Sequence, residues 1–471
     1  MKIKFCGADR TVTGSQHLLE INGKKILLDC GLFQGKREEA YQINKHFIYD
    51  PEELLCVILS HAHMDHSGNL PTLYSKGFRG SIYSTTATRD LCSIMLQDSA
   101  HIQLRDTEYV NKKKQKNEEP LFSPLYNSDD VRNVMRTFKA VSYDKKCYVD
   151  GLNETVGLTF FDAGHILGSA QVLLEIKENG RSYSFGFTGD LGRPNLPILR
   201  DPEFMGNVNF LISESTYGGR VHDNAIDMDK QLESAVKDAL SRGGKIIVPA
   251  FSVGRTQELV YSLSKMFSNN VITKIPIFVD SPLSANVSDV FKIHHECFDR
   301  ETSQLILDGV DVFGFSNLTY IKDVEESKAL NNFKGTCMII SASGMCEAGR
   351  ILHHLANNIQ DPKTTILIVG YMAENTLGKR LVDLKDTTNG SVKIFGDEYN
   401  VKAKIVVLNS FSAHADRNEL MAYFNKFDKN RLEQIFLVHG DYDQQEAFNH
   451  SLKNANFKNI DIPQKGDEVQ I

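Results

Sequence analysis

The segment Val57-Ile58-Leu59-Ser60-His61-Ala62-His63-Met64-Asp65-His66-Ser67-Gly68 carries the strongest signal in this 471-residue chain. An apolar run typical of a buried strand is followed by three histidines and one aspartate within a short block. Imidazole and carboxylate are the ligands that zinc prefers where thiolates are absent. Because buried polar groups are costly unless they are hydrogen-bonded or metal-bound, the block predicts a metal site. Its spacing indicates two ions.

Two further residues stand directly after apolar segments, His165 in Phe-Asp-Ala-Gly-His and Asp190 in Phe-Thr-Gly-Asp. Alone, either residue would more often cap a turn than bind a metal. Their occurrence together with the histidine block favours the metal interpretation.

The composition is that of an ordinary globular protein, with 41% hydrophobic and 24% charged residues and a net charge of -7. This charge argues against a chain that holds nucleic acid by bulk positive charge. The eight cysteines form no C-x-x-C pair and are predicted to be reduced. The N-terminus is too polar for a signal peptide, and no apolar run reaches the roughly 18 residues of a membrane span. We therefore expect a cytoplasmic protein.

Short apolar segments separated by Gly and Asp turns fill the first half of the chain and predict a β-rich layer. The predicted strands are 3–5, 25–28, 54–59, 158–161, 172–176, 182–187 and 210–213. Helices are predicted at 86–102 and 128–140. The charged stretch 111–120 is predicted to be a solvated loop, with guidance of RNA as the alternative.

From about residue 217 helices and strands alternate, which is typical of a parallel doubly wound sheet. The predicted helices are 227–242, 255–267 and 347–358, and the predicted strands are 245–248, 275–279, 337–341 and 364–369. After residue 400 we expect a strand at 404–409, a helix at 417–426 and a strand at 434–438. Each lies beside a polar cluster that contains a histidine.

The H-x-H-x-D-H block, Leu27 to Gly31, His165 and Asp190 resemble, in order, the motifs of metallo-β-lactamase-fold hydrolases. Five later segments resemble the β-CASP nucleases: Ile212-Ser-Glu-Ser-Thr-Tyr-Gly218, Pro249-Ala-Phe-Ser-Val-Gly-Arg255, Ser343-Gly-Met345 with Gly349-Arg350, Ser410-Phe-Ser-Ala-His-Ala-Asp416 and Leu437-Val-His-Gly440. That family includes the pre-mRNA 3′-end endonuclease, ribonuclease J and shorter prokaryotic ribonucleases, which the chain resembles most closely.

The resemblance implies an α/β fold: a metallo-β-lactamase αββα sandwich with an inserted, parallel-sheet, Rossmann-like β-CASP domain. We expect residues 1–215 and 402–471 to form the first domain and residues 216–401 to form the second. RNA would lie in the groove between them.

The resemblance also implies the metal ligands, which are His61, His63 and His165 for one zinc ion, Asp65, His66 and His439 for the other, and Asp190 as a bridge. Asp29 would orient the histidine loop through hydrogen bonds. A cap on a glycine turn is the alternative role for Asp29. Manganese could replace zinc at the position with more carboxylate ligands.

Charge balance favours an anionic substrate. Two zinc ions bring four positive charges, of which Asp65, Asp190 and a hydroxide would cancel three, and a phosphodiester fits the charge that remains. Hydroxide attack would leave a 5′-phosphate and a 3′-hydroxyl. By resemblance, His414 would protonate the departing 3′ oxygen and Glu214 would orient that histidine and raise its pKa. A loop salt bridge is the alternative for Glu214.

By resemblance, the predicted substrate is RNA, because the RNA-processing branches of the family have a histidine where this chain has His439. A single strand is favoured over a duplex, because a strand in a groove closed on both sides must be threaded. Ser343 and Gly344, before a predicted helix, could bind a phosphate through backbone N–H groups. Arg255 and Arg380 could clamp the strand, with a structural salt bridge as the alternative for each. Ser412, in the Ser-Ala-His segment, is a further predicted RNA contact.

An endonuclease in RNA processing or decay is the favoured function, and a 5′-3′ exoribonuclease is the alternative. Two other classes compete: a small-substrate hydrolase of the same fold, such as a thioesterase or lactonase, and a non-catalytic RNA-binding scaffold. The sequence leaves open the natural transcript, the preferred cleavage site and whether the chain forms a homodimer.

Overall fold

The computed structural model describes residues 1–116, 121–222, 228–370, 372–373, 375–387, 390–408 and 412–471. The chain divides into two compact units. The first comprises Met1–Pro194, Asp201–Val221 and His414–Ile471, and the second comprises Asn195–Arg200 and His222–Ala413. The finer boundaries at 215/216 and 401/402 stay a prediction. Among the described helices, none combines the length and the apolar character that a bilayer crossing requires.

Two seven-stranded sheets make up the framework of the first unit, counted over the described residues. The first sheet contains β1 (Lys2–Gly7), β2 (Gln16–Ile21), β3 (Lys24–Leu28), β4 (Leu54–Ile58), β5 (Ser81–Ser84), β6 (Phe138–Ala140) and the C-terminal β22 (Glu468–Gln470). The second contains β7 (Cys147–Tyr148), β8 (Val156–Asp162), β9 (Ala170–Glu178), β10 (Arg181–Phe187), β11 (Phe210–Glu214), β20 (Gln434–Val438) and β21 (Ile460–Asp461). Their spatial orders are β22-β1-β2-β3-β4-β5-β6 and β21-β20-β11-β10-β9-β8-β7.

The two sheets pack face to face around one apolar core. Phe5 and Ile58 of the first sheet share this core with Phe160, Phe185 and Phe436 of the second. Because side chains alternate across a strand, the opposite face of the second sheet is also available for packing. Helices cover that face, so the layers follow the predicted helix-sheet-sheet-helix arrangement.

The helices of the first unit are α1 (Arg37–Lys45), α2 (Met64–Ser67), α3 (Leu70–Ser75), α4 (Thr86–Lys116), α5 (Ser128–Met135), α13 (Arg417–Phe424) and α14 (Tyr442–Asn454). The apolar faces of α13 and α14 pack on β11 and β20 through Leu420, Phe424 and Phe448. Helices α3, α4 and α5 contact one another, and α4 also contacts β6 of the first sheet.

A parallel six-stranded sheet, counted over the described residues, organises the second unit, as the alternating pattern predicted. Its strands are β12 (Ile246–Pro249), β13 (Ile277–Val279), β14 (Leu318–Tyr320), β15 (Met338–Ser341), β16 (Thr365–Val369) and β19 (Lys404–Leu408), in the order β14-β13-β15-β12-β16-β19. The helices are α6 (Met228–Arg242), α7 (Arg255–Ser268), α8 (Pro282–Phe291), α9 (Arg300–Leu307), α10 (Val324–Ala329), α11 (Arg350–Asn358) and α12 (Leu377–Asp383). Strands β17 (Gly390–Ile394) and β18 (Asp397–Val401) form a separate hairpin.

The prediction of a loop at 111–120 is wrong for its first part, because α4 continues to Lys116. Lysine and glutamine are good helix formers, and neither glycine nor proline interrupts the sequence before Pro120. The remaining residues of the predicted loop, 117–120, lie outside the described part of the chain. The helix predicted at 128–140 ends at Met135, since Phe138–Ala140 pairs with β5 as a strand.

The helix predicted to begin at residue 347 begins at Arg350 instead. The backbone N–H of Glu347 donates to Ser343 Oγ at 3.1 Å, and Cys346 lies in the left-handed region at φ 60°. These residues therefore form a turn, and Gly349 at φ 82° supplies the cap at which the helix starts.

Candidate metal centre

The predicted ligands lie at strand ends that share one edge of the second sheet. Strands β10, β11 and β20 are mutually parallel, and β8 runs in the same direction because β9 pairs antiparallel with both β8 and β10. His165, Asp190, Glu214 and His439 stand at or just after the carboxyl ends of these strands. The histidine block follows β4 of the facing sheet. Its second half forms the short helix α2.

The first cluster joins His61, His63, His165 and Asp190. His63 Nδ1 lies 3.2 Å from His61 Nε2 and 3.1 Å from His165 Nε2. Asp190 Oδ2 lies 3.5 Å from His61 Nε2 and 3.6 Å from His165 Nε2. The four donor atoms therefore converge on one point.

The second cluster joins Asp65, His66 and His439. The Nε2 atoms of His66 and His439 are 3.1 Å apart, and Asp65 Oδ2 lies 3.5 Å from His439 Nε2. Asp190 Oδ2 lies 3.3 Å from His66 Nε2. One oxygen atom of Asp190 thus faces both clusters.

These spacings fit metal coordination. Zinc binds nitrogen and oxygen ligands at about 2.0–2.2 Å in a tetrahedral arrangement, which places two ligands of one ion roughly 3.3–3.6 Å apart. The distances within both clusters lie in or near this range. His66 and His439 also turn their Nε2 atoms toward each other. When both rings are neutral and carry their proton on Nδ1, two lone pairs face one another, and a cation between them would satisfy both.

Asp29 supports the histidine block from behind. Its Oδ2 accepts from His66 Nδ1 at 2.7 Å and from Ser60 Oγ at 2.9 Å, and its Oδ1 accepts from the Ser60 backbone N–H at 2.8 Å. The fully buried carboxylate therefore directs His66 Nε2 toward the second cluster. Ser15 Oγ adds a longer contact of 3.3 Å.

Electrostatics keep most of the histidines in the form that binds metal. Burial lowers the pKa of His61 and His165 well below 6.5 and that of His63 to about 4. His66 differs, because the charges of Asp190 and Asp29 outweigh burial and raise its pKa. Burial alone would raise the pKa of Asp190, but the surrounding histidines, His439 foremost, hold it well below its usual range. Ionised carboxylate and neutral imidazole are the ligating forms.

Glu214 and His414 lie beside Asp190 and outside the two clusters. His414 Nδ1 is 3.4 Å from Glu214 Oε1 and 3.8 Å from Asp190 Oδ2. Burial favours the neutral ring, but these two carboxylates raise the pKa of His414 to about 9. A salt bridge was the alternative role for Glu214. The histidine that faces Glu214 in the structure is His414, the predicted proton donor itself.

Hydrogen bonds to the backbone of Leu191 hold Glu214 and His414 close to the segment that carries Asp190. Glu214 Oε1 accepts from the Leu191 N–H at 2.5 Å, and the Ala415 N–H donates to the Leu191 carbonyl at 2.8 Å. Arg193, two residues further along, forms a buried ion pair with Glu419 at 3.1 Å. The segment after β10 is therefore tied to the N-terminus of α13.

The predicted RNA contacts belong to the second unit, where the structure places them as follows. Arg255 is buried and pairs with Glu258, which agrees with the structural alternative for that arginine. Arg380 is exposed and donates to the Asn375 carbonyl at 3.1 Å.

The other predicted RNA contacts lie outside the strands and helices of the same unit. Gly344 lies against the ring of Phe251, and Ser343 Oγ accepts from the Glu347 N–H. Ser412 is 8% exposed. Their contact with RNA stays a prediction.

Two residues of the centre were missed at the sequence level. Thr216 Oγ1 lies 3.1 Å from His439 Nδ1, and Ser60 links Asp29 to His61 Nδ1, from which its hydroxyl is 3.1 Å distant. In the chain, Ser60 directly precedes His61, and Thr216 follows Glu214 by two residues. This closeness to predicted strand-end residues was the available signal, since ligating histidines need a partner for the second ring nitrogen.

The chain matches three protein-family descriptions. Residues 18–181 match the metallo-beta-lactamase superfamily domain, and residues 256–381 match the Beta-Casp domain. Residues 398–463 match a Zn-dependent metallo-hydrolase RNA specificity domain. The predicted combination of a metallo-β-lactamase domain and a β-CASP domain is confirmed.

Similar proteins extend over nearly the whole chain. A ribonuclease of Thermus thermophilus is 33% identical over 96% of this chain and 96% of its own length. The transcription termination factor FttA of Methanocaldococcus jannaschii is 27% identical over all of this chain and 72% of its own, and an RNase J-like protein of that organism is 27% identical over 98% and 96%. A crystal structure of an Enterococcus faecalis protein of unknown function has the same fold, with a TM-score of 0.55, 12% identity and 99% of both chains covered.

Proposed function

The chain belongs to the β-CASP family of the metallo-β-lactamase superfamily, and we propose that it is a ribonuclease that uses two zinc ions to hydrolyse single-stranded RNA. One observation carries the proposal: a single buried carboxylate, that of Asp190, lies within 4 Å of histidines of both clusters and of His414, the partner of Glu214. A two-ion hydrolase can use such a shared ligand to hold both ions, and the adjoining histidine can supply a proton.

Zinc is the proposed metal because the ligand set consists of imidazoles and carboxylates without a thiolate. His61, His63 and His165 would hold one ion, Asp65, His66 and His439 the other, and Asp190 would bridge them. When bound, the two ions lower the pKa of a water molecule and neutralise the charge of a phosphodiester.

The chain itself supplies orientation and a proton. Asp29 fixes the tautomer of His66 by accepting its Nδ1 proton, and Thr216 does the same for His439. Glu214 accepts the Nδ1 proton of His414, which leaves Nε2–H as the donor for the 3′ oxygen that departs when the P–O bond breaks. The products would be a 5′-phosphate and a 3′-hydroxyl.

RNA is the proposed polymer on two grounds. The match to an RNA specificity domain covers His414 and His439, and the Thermus thermophilus relative is named a ribonuclease. The net charge of -7 also suits a protein whose positive potential is confined to its metal ions. We propose internal cleavage, with 5′-3′ exonuclease activity as the alternative outcome.

The test uses a 5′-labelled single-stranded RNA and the zinc-loaded protein, with the same DNA sequence as an unlabelled competitor. Internal fragments with 3′-hydroxyl ends are expected from the wild type, and the DNA should compete poorly. Release of mononucleotides would instead indicate the exonuclease. Asp65→Ala should abolish either activity, because it removes a proposed ligand that is not needed for the core.

A matched control is Asp443→Ala, a carboxylate in the first turn of α14 that lies outside both clusters. It should cleave RNA as the wild type does. RNA that stays intact with zinc-loaded wild type would contradict the proposal, and a small-substrate hydrolase or a non-catalytic RNA-binding protein would then be the better interpretation.

A further inference from the structure

A cavity of about 230 Å³ lies in the first unit between the β1–β2 connection and α1. Phe33, Ile43 and Phe47 line it with apolar surface, and the exposed residues Glu39 and Lys465 stand at its rim. No residue that lines it, among those described, is a proposed metal ligand or a proposed RNA contact. The cavity is therefore separate from the metal centre.

The β1–β2 connection places a buried carboxylate, that of Asp9, at this cavity. The side chain of Asp9 is 0% exposed, and neither of its oxygen atoms accepts a hydrogen bond from a described residue. His17 Nδ1 lies 3.9 Å from Oδ1, which is too long for a hydrogen bond, and the nearby Gly7 N–H does not have hydrogen-bond geometry. Because a buried polar group without a partner costs free energy, Asp9 needs a donor or a cation from the cavity.

The charges around Asp9 favour a cation. Burial raises the pKa of Asp9 to about 8 although Lys465 opposes this shift, and the charge of Asp467 raises it further. His17 supplies no positive charge, because burial lowers its pKa to about 3. Lys465 is exposed, so water and salt screen its charge. With Glu39 at the rim, the cavity has an excess of negative charge.

The size and the walls of the cavity favour an organic cation over a metal ion. A single water molecule needs only about 10–15 Å³ of such space, so the cavity is much larger than an ion requires. Phe33, Ile43 and Phe47 offer no atom that ligates a metal. Asp9 also belongs to none of the groups of potential metal ligands that the described residues form. Aromatic rings beside a carboxylate are instead a favourable environment for an alkylammonium group.

We propose that this cavity binds a small aliphatic ammonium compound of the class of linear diamines and polyamines. One ammonium group would form an ion pair with Asp9, and Phe33 and Phe47 would contact the methylene chain. The second ammonium group would face Glu39 at the rim. Lys465 competes with the ligand, because its own positive charge acts on the same carboxylate. This binding does not rest on the proposed ribonuclease activity.

The test is isothermal titration calorimetry of the full, zinc-loaded chain with 1,4-diaminobutane, in an amine-free buffer at pH 7. Both amino groups of this probe are protonated at that pH, as that of lysine is, so they do not ligate zinc. The wild type should bind one molecule per chain. Asp9→Asn keeps the size of the side chain and removes its charge, so the affinity should fall about tenfold or more. Lys465→Met removes the competing charge and should raise the affinity about twofold or more.

The matched control is Asp443→Asn, which removes a carboxylate of α14 that does not line the cavity. It should bind the diamine as the wild type does. Thermal denaturation of the ligand-free proteins reports whether each variant is folded. If Asp9→Asn is unfolded, Lys465→Met decides, and an affinity that is unchanged or lower in that variant would overturn the proposal.

Three further outcomes would overturn it. The first is a wild type that binds no diamine at one molecule per chain, and the second is equal affinity of the wild type and a folded Asp9→Asn. Inorganic phosphate is the contrasting probe for the third. Phosphate that binds to the wild type and no longer binds to Lys465→Met would identify an anion site in this cavity instead.

Discussion

Thr216 Oγ1 lies 3.1 Å from His439 Nδ1 and 3.0 Å from the carbonyl oxygen of the same histidine. A hydroxyl has one proton, which it donates to the carbonyl, so it accepts the proton of Nδ1. This contact fixes the tautomer in which the Nε2 lone pair of His439 points toward Asp65 and His66. The backbone of His439 is held as well, because its N–H donates to the Ala8 carbonyl at 2.8 Å.

Replacing Thr216 by valine should weaken the second metal site. The change keeps the shape of the side chain and removes the acceptor for His439 Nδ1. Loss of such a partner typically costs about 10–100-fold in metal affinity. Competition with a zinc chelator should show this loss for one of two ions. Thr216→Ser, which keeps the hydroxyl, should bind both ions as the wild type does; equal affinity in all three proteins would contradict the role of the contact.

Asp29→Asn should reduce zinc affinity at the same site by a similar factor. Asp29 has a left-handed backbone at φ 57°, a conformation that asparagine tolerates, so the backbone is preserved. The substitution removes the charge and one of the two acceptor oxygens, because the amide NH2 group must face either the Ser60 N–H or His66 Nδ1. The amide is a weaker acceptor for His66 Nδ1 and gives the ring less basicity. Zinc titration monitored by calorimetry is the measurement. A variant that unfolds in zinc-free buffer would show instead that Asp29 acts mainly in folding.

Arg193→Ala should destabilise the protein by about 3 kcal/mol, because it removes the cation from a largely buried ion pair and leaves Glu419 only the backbone N–H of Asp416 as a partner among the described residues. Urea denaturation is the measurement. Arg181→Ala is the control, since Arg181 pairs with Glu433 at the surface with side chains 52% and 42% exposed. That pair should contribute less than about 1 kcal/mol. Equal losses in the two variants would show that burial of the Arg193 pair has no special effect.

A second buried network lies in the second unit and centres on Asp280, which follows β13. Its carboxylate accepts from Arg350 Nη1 and His354 Nε2, each at 2.6 Å, and from Ser327 Oγ. Burial alone would raise the pKa of Asp280, but these hydrogen bonds, that of His354 foremost, lower it below 3.8. The network joins α10 and α11 to the end of β13.

The free energy of unfolding should therefore depend on Asp280 in a pH-dependent manner. A carboxylate whose pKa is lowered by folding stabilises the folded state above its ordinary value of 3.8, and this contribution is lost as the pH falls below that value. Asp280→Asn should cost about 3 kcal/mol at pH 7, and the difference from wild type should shrink below about pH 4. Denaturation at pH 7, 5 and 3 measures this. A difference that does not change with pH would exclude the charge as its origin.

The sequence-based predictions were most successful where potential metal ligands directly follow an apolar segment with the pattern of a strand. The histidine block, His165 and Asp190 each follow an apolar strand segment, and the structure brings all of them together with His439 from a distant part of the chain. The parallel sheet of the second unit was also predicted, because long apolar runs such as Thr365–Val369 alternate with amphipathic helices.

Features that depend on tertiary contacts were not predicted. Phe138–Ala140 is a strand because β5 supplies its partners, and the local pattern there favours a helix. The left-handed backbone at Cys346 and Gly349 forms a turn, so α11 begins at Arg350 and not at residue 347. The spacing of apolar residues does not reveal this turn. Thr216 and Ser60 acquire their roles only when folding places a ring nitrogen beside each hydroxyl.

The measurement that decides between one and two catalytic ions is zinc reconstitution of the metal-free protein, with RNA cleavage followed at each added equivalent. Cleavage should stay near zero through the first equivalent bound and rise with the second, and His439→Leu, which lacks a ligand of the second cluster, should bind one ion and stay inactive. Full cleavage with a single ion, or full activity of His439→Leu, would contradict a two-ion mechanism centred on Asp190.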